Sequence, residues 1–490
     1  MSSVYSQVLQ STFLPAVSLM TKAKFWQIYR QFQKNPQSLF DPPSDTQWKE
    51  VKNVLTRAYR HVPFYQERMN ALGLSPDAFQ SFNDWHKLPP TTKADISAHF
   101  PDRITSDERL HEPWRYVSTS GTTGRLTVIH DFLKRDYCRA MLLYALNAAT
   151  GYEPGMKYLD IPPDMCANVC GTSSTREPGI TAFLWEKIKE GKLLEPKSVS
   201  EFRGLVDRQI LHRQLQLTSF GSEGLKQSPQ KLDMYLKNIA DYKPYIVRGL
   251  SAYLYVLAVH ILKNNIRPPE IKGGLIPMGS SMTPVMRKTV QKAFDCKVHE
   301  TYGSAELGAI AAECGHQKGL HGFSALFYIE VVRKGQPAAD GEIGRILITD
   351  LVNTAMPLLR YDIGDVALVK KGKCACGVNS GRIEIQGRLQ DCLMGRDGQI
   401  LTSDRITDEI LGNFTEVLGF QLEVRDDDQH FLQVVPVGEN VSDVEKIATH
   451  VSGLLEGNPG IQTRVVPTIM PEQGGKYRFV KNLRKQTVEI

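Results

Sequence analysis

The chain has 490 residues, too many for one ordinary domain and enough for roughly two or three. Lysine and arginine number 59 against 53 aspartates and glutamates, a formal net charge of +6 on a chain that is 23% charged and 41% hydrophobic. That composition is globular, and it excludes disorder, collagen and coiled coil as global descriptions. Basic residues recur singly, as at Lys22, Lys52, Arg57 and Lys134, or in short pairs such as Arg287 and Lys288, so no nucleic-acid or membrane-surface partner is implied.

No run of about 18 apolar residues occurs, so no integral membrane segment is expected. Met1 to Met20 lacks the basic stretch that precedes a signal-peptide core, and a cytoplasmic location is expected. Eight cysteines (138, 166, 170, 296, 314, 374, 376 and 392) in so long a chain are not a disulfide framework. In a reducing compartment, clustered cysteines point to metal.

Helical and strand periods alternate, which predicts an α/β protein. Trp48, Val51, Leu55 and Ala58 share one helical face; the helix is expected to end before His61-Val62-Pro63, because a residue preceding proline avoids the α region. Next comes Tyr116 to Arg125, a loop containing Ser118, Thr119, Ser120, Gly121, Thr122, Thr123 and Gly124, with a strand expected on each side. Its glycines let backbone N–H groups converge and its hydroxyls add donors, chemistry suited to phosphate oxygens. A Walker loop is excluded, since Arg125 and a β-branched strand follow Gly124. A solvated Ser/Thr/Gly turn has the same composition.

Leu232, Tyr235, Leu236 and Ile239 form a second helical stripe, stopped near Lys243-Pro244. The runs Tyr245 to Val247, Gly274 to Ile276 and Lys297 to His299 are expected as buried strands of a mixed sheet. Glu300-Thr301-Tyr302-Gly303-Ser304-Ala305-Glu306 follows the last of them, where α/β sheets place ligands. Leu359 to Asp365 contains a Gly-Asp turn whose carboxylate can accept from two ribose hydroxyls, or be a surface turn. After Gly387-Arg388-Leu389-Gln390-Asp391 the chain changes character. Phe420, Leu422 and Val424 alternate with polar residues, Asp426 to Asp428 turn, and Phe431 to Val435 return as a hairpin. Ser442 and Glu445 are expected to form a capping box for a helix with Val444, Ile447, Val451 and Leu455 inward, followed by a strand from Thr463 to Val466. Gly474-Gly475-Lys476-Tyr477-Arg478 closes the series.

In this order the five motifs resemble the adenylate-forming superfamily, and most closely its phenylacetate–CoA ligase branch with the related capsule-biosynthesis proteins. His61-Val62-Pro63-Phe64-Tyr65 and Leu88-Pro89-Pro90-Thr91-Thr92-Lys93 are similar to that branch's N-terminal signatures. The resemblance implies a large N-terminal α/β domain with mixed β-sheets and flanking helices over residues 1–388. A small, mobile α+β domain over residues 389–490 would carry a catalytic lysine. It implies that ATP and a carboxylic acid form an acyl-adenylate, which a thiol, by default that of CoA, then intercepts. The alternatives are an amine or protein-thiol acceptor, or a non-catalytic nucleotide-binding relative. An aryl or short apolar acid is expected, and a homodimer is compatible with the resemblance.

By the same likeness, Ser118 to Gly124 hold the β- and γ-phosphates, Glu306 the Mg²⁺, Asp365 the ribose and Arg388 the nucleotide. Gly279-Ser280-Ser281 and Tyr302-Gly303-Ser304 border the adenine, and Lys476 bridges carboxylate and α-phosphate. Gln390 stands at the hinge, where relatives often carry Asp or Lys, and Arg125 and the adenine segment also depart from the superfamily's pattern. Cys314, His316, His321, Cys374 and Cys376 offer soft ligands for a tetrahedral Zn²⁺ site. Likeness to relatives selects Cys314, His321, Cys374 and Cys376, a closed structural site. Cys166 and Cys170 lack a nearby second pair and are expected in the core.

Overall fold

The computed structural model describes residues 4–111, 114–118, 126–163, 179–193, 195–425, 429–472, 474–484, 488 and 490. Thr119 to Arg125, Cys166, Cys170 and Asp426 to Asp428 lie outside them.

Each sheet is assembled from strands consecutive in the chain. β1 (Trp114–Ser118) and β2 (Thr127–Asp131) form an antiparallel ribbon on either side of the hydroxyl-rich loop, as expected. β3 (Tyr158–Ile161), β4 (Gln214–Gln216), β5 (Ile246–Leu250) and β6 (Gly274–Met278) make a parallel sheet in the order β4-β3-β5-β6. Its inner strands, which carry the Arg248–Asp160 ion pair, are buried almost continuously. An eight-stranded antiparallel sheet follows, ordered β11-β10-β12-β13-β14-β9-β8-β7. Its strands are β7 (Thr301–Ser304), β8 (Gly308–Glu313), β9 (Leu320–Gly322), β10 (Phe327–Arg333), β11 (Gln336–Pro337), β12 (Ile343–Asp350), β13 (Tyr361–Lys370) and β14 (Arg382–Arg388). A short ribbon, β15 (Leu393–Met394) and β16 (Ile400–Leu401), leads to the last sheet, ordered β19-β18-β17-β20. Its strands are β17 (Val417–Val424), β18 (His430–Pro436), β19 (Ile461–Val465) and β20 (Val480–Asn482).

Both helical stripes are helices with those faces buried: α1 (Ser44–His61), and α3 (Pro229–Tyr242), which follows α2 (Phe132–Thr150) and precedes α4 (Ser251–Lys263) and α5 (Pro284–Phe294). The α1 helix runs through His61, one residue further than expected; Val62 alone takes the extended conformation that Pro63 demands. Lys297 to His299 is not a strand. Val298 makes a single bridge to Leu275, after which the Glu313 carboxylate captures the Glu300 N–H at 2.8 Å and turns the chain into the antiparallel sheet. Gly274 allows that one contact: its φ is +90°, and a Cβ there would lie 2.3 Å from the Lys297 carbonyl oxygen.

The hairpin, the late strand and the helix α7 (Val444–Leu454) occur where periodicity puts them, but the capping box does not form. Ser442 spends its hydroxyl and its N–H on Glu416, so Asp443 caps α7 by accepting from the Lys446 N–H at 3.0 Å. A single apolar cluster joins the parallel sheet to the C-terminal sheet, with Leu225, Leu250 and Tyr253 packed among Phe420, Ile469 and Tyr477.

Candidate active site

A cavity of about 1210 Å³ opens where β3, β5 and β6 end, facing β7, the end of β14 and the segment 474–480. Such strand-end crevices are where open α/β sheets bind ligands, and this one exceeds the ~300–1,000 Å³ of a small-molecule pocket. It brings together Gly279, Ser280, Ser281, Tyr302, Gly303, Ser304, Glu306, Asp365, Arg388 and Lys476 from separate parts of the chain. Ser118 ends β1 with its hydroxyl 3.1 Å from that of Thr127, and is not among the residues of the cavity wall.

Strand pairing fixes one pole. Asp365 lies opposite Arg388 in the β13–β14 register, inside a strand and not on the turn expected at Gly364-Asp365. Gly364, at φ +81°, precedes the register shift that turns the carboxylate toward the cavity. Tyr302 Oη donates to Asp365 Oδ2 at 2.7 Å, and Arg388 Nε lies 3.1 Å from Oδ1. Arg388 also donates to the Ile363 carbonyl at 3.2 Å. The Asp365 carboxylate raises the Arg388 pKa, and burial raises that of Tyr302, so both remain donors.

Glu306 sits in the turn between β7 and β8, 4% exposed, and accepts from Tyr361 Oη at 3.0 Å. Its carbonyl lies 2.7 Å from His130 Nε2 on β2. Burial pushes His130 down to about 4, leaving the imidazole neutral with the proton on Nε2. The ribbon is fixed to the β12–β13 connection by Asp131, which accepts from the Thr354 N–H at 2.8 Å and hydroxyl at 2.9 Å, and by Asn353, which donates to the Ile129 carbonyl.

Lys476 arrives from the other side. Its chain folds back through hydrogen bonds from the Glu472 N–H to its carbonyl and from the Gly475 N–H to Glu472, both 2.8 Å. A Cβ on Gly279 would strike Leu250 at 2.4 Å and meet the Lys476 stem at 3.7 Å, so glycine lets the lysine pass over this loop. Ser281, expected beside the adenine, gives its hydroxyl to Asp404 on α6 (Ser403–Asn413). Arg478 grips the buried Asp391 with Nε at 2.9 and 3.0 Å from the two carboxylate oxygens, tying the lysine segment to the Gly387–Asp391 motif.

Away from the cavity, Cys314, His321, Cys374 and Cys376 place their ligand atoms within 4.8 Å of one another. Cys314 and Cys374 Sγ are 3.8 Å apart, and Cys376 Sγ is 3.4 Å from His321 Nε2. Bonds of about 2.3 Å put two tetrahedral thiolates about 3.8 Å apart, so the spacing fits zinc and is far beyond a disulfide. Burial holds His321 down at about 4, neutral and able to ligate. Cys314 lies in the β8–β9 connection, His321 on β9, and Cys374 and Cys376 in the β13–β14 connection; His316 is exposed and outside the group.

Lys93 was missed as a wall residue, although it ends one of the N-terminal signatures. It opens a short helix capped by Thr92 and reaches the cavity, where burial and then Arg388 lower its pKa while Glu306 and Asp365 oppose that. Its partners are some 200 to 300 positions later, beyond any local pattern. Phe220, Tyr253 and Tyr255, which could have lined an aryl pocket, are core: Phe220 and Tyr253 stack at 4.0 Å, and none of the three borders the cavity.

No family model matches the chain. A phenylacetate-coenzyme A ligase of Thermus thermophilus is 26% identical over 477 residues, covering 90% of this chain and 96% of that protein. Protein CapK of Staphylococcus aureus is 24% identical over 277 residues, 55% of this chain and 58% of that protein. Among solved structures, 2-hydroxyisobutyryl-CoA ligase in its postadenylation state superimposes with a TM-score of 0.66 at 17% identity, covering 91% of each chain. Over nine-tenths of its length the chain is thus similar to a phenylacetate-coenzyme A ligase, and it has the fold of 2-hydroxyisobutyryl-CoA ligase.

Proposed function

We propose that this chain is an ATP-dependent carboxylate ligase that forms an acyl-adenylate and passes the acyl group to the thiol of CoA, with AMP and pyrophosphate released. The observation that carries this reading is the convergence of Asp365, Tyr302, Arg388, Glu306 and Lys476 on one cavity. A carboxylate attacking the α-phosphorus approaches a polyanion, so cations and donors must meet there before the reaction begins. Lys476 binds the carboxylate and α-phosphate together; Lys93 and Arg388 add positive charge at the nucleotide. Asp365, oriented by Tyr302 and Arg388, accepts from the ribose hydroxyls. The β- and γ-phosphates are assigned to the hydroxyl-rich segment Ser118 to Gly124, by its likeness to the family's phosphate loop.

Glu306 fits Mg²⁺, which takes one or two carboxylates together with substrate phosphates. Bound there, the ion supplies charge neutralisation at the phosphates. Cys314, His321, Cys374 and Cys376 hold a structural zinc whose closed ligand set has no position for substrate. Residues 1–388 form the unit that binds ATP and the acid, and 389–490 the unit that carries Lys476 and turns about Gln390. Rotation removes the lysine and admits the thiol. A cytoplasmic location is the reading that use of ATP and CoA and the free cysteines support.

The test is a panel of free carboxylic acids assayed for AMP with and without CoA. Acid-dependent AMP release that CoA accelerates is expected. Hydroxylamine capture of an acyl group without any CoA effect would move the acceptor to an amine or protein thiol, and no acid-dependent AMP from any acid would refute the enzyme.

A further inference from the structure

The part of the chain that brings Lys476 into the cavity also grips the preceding sheets and helices at two places that the chemistry leaves without a task. The first is the start of α5. Pro284 opens that helix without an N–H, so Val285 presents its first amide, and amides of a first turn have no partner within the helix. The Thr283 hydroxyl takes the Met286 N–H. Val285 donates instead to Asp408 Oδ1 at 2.9 Å, a carboxylate on α6, 123 positions later. The helix dipole favours a carboxylate there, and the charge strengthens the hydrogen bond. Asp404, one turn earlier on α6, accepts from Ser281 in the same loop, the one over which the Lys476 stem passes.

The second grip is on the connection between β4 and α3. The Leu225 N–H donates to the Ile469 carbonyl at 2.9 Å, and the Lys226 N–H to the Thr468 hydroxyl at 3.0 Å. Gly224, at φ +79°, comes so near that a Cβ there would stand 2.4 Å from the Thr468 hydroxyl and 2.7 Å from the Ile469 carbonyl. Leu225, 1% exposed, packs on Gly419 of β17, where a Cβ would lie 2.3 Å from its Cδ2. Lys226 and Lys263 donate to the carbonyls of Gly438 and Val437 just beyond β18. Contacts between parts of one chain that move against each other are of this modest, partly polar kind.

We propose that Asp408 and the Leu225–Gly419 contact are positioning devices for adenylation: they hold the Lys476 segment in the cavity while the acyl-adenylate forms, and part before the thiol reacts. This rests on the adenylation reading above. Asp408, Leu225 and Gly419 are not among the residues of the cavity wall, so each acts through Lys476 and touches no reacting atom.

The test measures ATP–pyrophosphate exchange, with an acid that the wild type uses, against thioester formation from a supplied acyl-adenylate and CoA. The variants are Asp408→Ala, Asp408→Asn, Gly419→Val, and Gly419→Val combined with Leu225→Ala; hydrogen exchange of the Val285 and Leu225 amides is followed in the same proteins. Adenylation scales with the docked fraction, so Asp408→Ala should lose about tenfold in pyrophosphate exchange while thioester formation falls by no more than about twofold. Asp408→Asn keeps an acceptor and should keep most of the activity. Gly419→Val wedges the second grip apart and should also lose about tenfold; adding Leu225→Ala makes room and should return pyrophosphate exchange to within about threefold of wild type. In Asp408→Ala the Leu225 amide, on the other grip, should exchange its hydrogen faster.

Equal losses in the two half-reactions would make these residues merely structural and overturn the proposal. So would unchanged pyrophosphate exchange in Asp408→Ala, a change at a half-buried position that decides the matter if Gly419→Val does not fold. A wild type that exchanges pyrophosphate with none of the acids would remove the adenylation reading instead. Faster hydrogen exchange at Leu225 in Asp408→Ala would still support the paired grips, and unchanged hydrogen exchange would overturn them.

Discussion

The pole around Asp365 and the segment around Lys476 meet in one cavity but are built in opposite ways. Asp365, Arg388 and Tyr302 stand on three strands of one antiparallel sheet, and paired backbone and side-chain hydrogen bonds fix their geometry. Lys476 stands on a turn held by two backbone hydrogen bonds and, one residue pair away, by the Arg478–Asp391 contact. A group needed in both half-reactions can be rigid, whereas a group needed in one must be removable. The difference in construction is what the proposed division of labour between the two half-reactions requires.

Breaking the removable side should have the largest effect. Lys476→Ala is expected to lower ATP–pyrophosphate exchange by about 10²–10³-fold. Conversion of a supplied acyl-adenylate to thioester should fall much less, and equal losses in both assays would show that the lysine serves both steps. On the rigid side, Asp365→Asn keeps the shape but weakens two charge-assisted contacts. The KM for ATP should rise about tenfold with a smaller change in kcat, as steady-state kinetics at varied ATP will show.

The proposed zinc site at Cys314, His321, Cys374 and Cys376 sharpens the comparison by testing the sheet that carries the rigid pole. Purified protein should contain about one zinc per chain, and Cys374→Ser should lower the melting temperature by several degrees, roughly 1–3 kcal/mol of stability, with ATP affinity less affected. The smallest effect is a pH dependence at the wall between the two sides. Desolvation pushes Asp404 up to about 7, so the folded state binds its proton more tightly than the unfolded chain does. That contribution to stability is present below about pH 4 and is lost as pH rises through about 7. Asp404→Asn should flatten this part of the melting-temperature profile and raise the melting temperature at pH 8 by about 2 °C or more.

Periodicity made the two amphipathic helices, the hairpin and the C-terminal change of character legible, because each is a local pattern of burial. Local signals failed where a distant group intervened. Glu313 ends the strand expected at Lys297 to His299, and Glu416 takes the serine expected to cap α7. Motif order brought Glu306, Asp365, Arg388 and Lys476 into one hypothesis, and the cavity unites them. Lys93 and the arginines of the cavity wall carried no such signal: single basic residues on helices and a strand make no local pattern until the topology turns them into one wall.

The most direct test of the central claim is a structure of the chain with a non-hydrolysable acyl-sulfamoyl adenosine. The account predicts the ribose hydroxyls on the Asp365 carboxylate, the base between Tyr302 and Gly279, and the Lys476 ammonium on the sulfamate. A ligand bound elsewhere, with those side chains still paired only to one another, would contradict it.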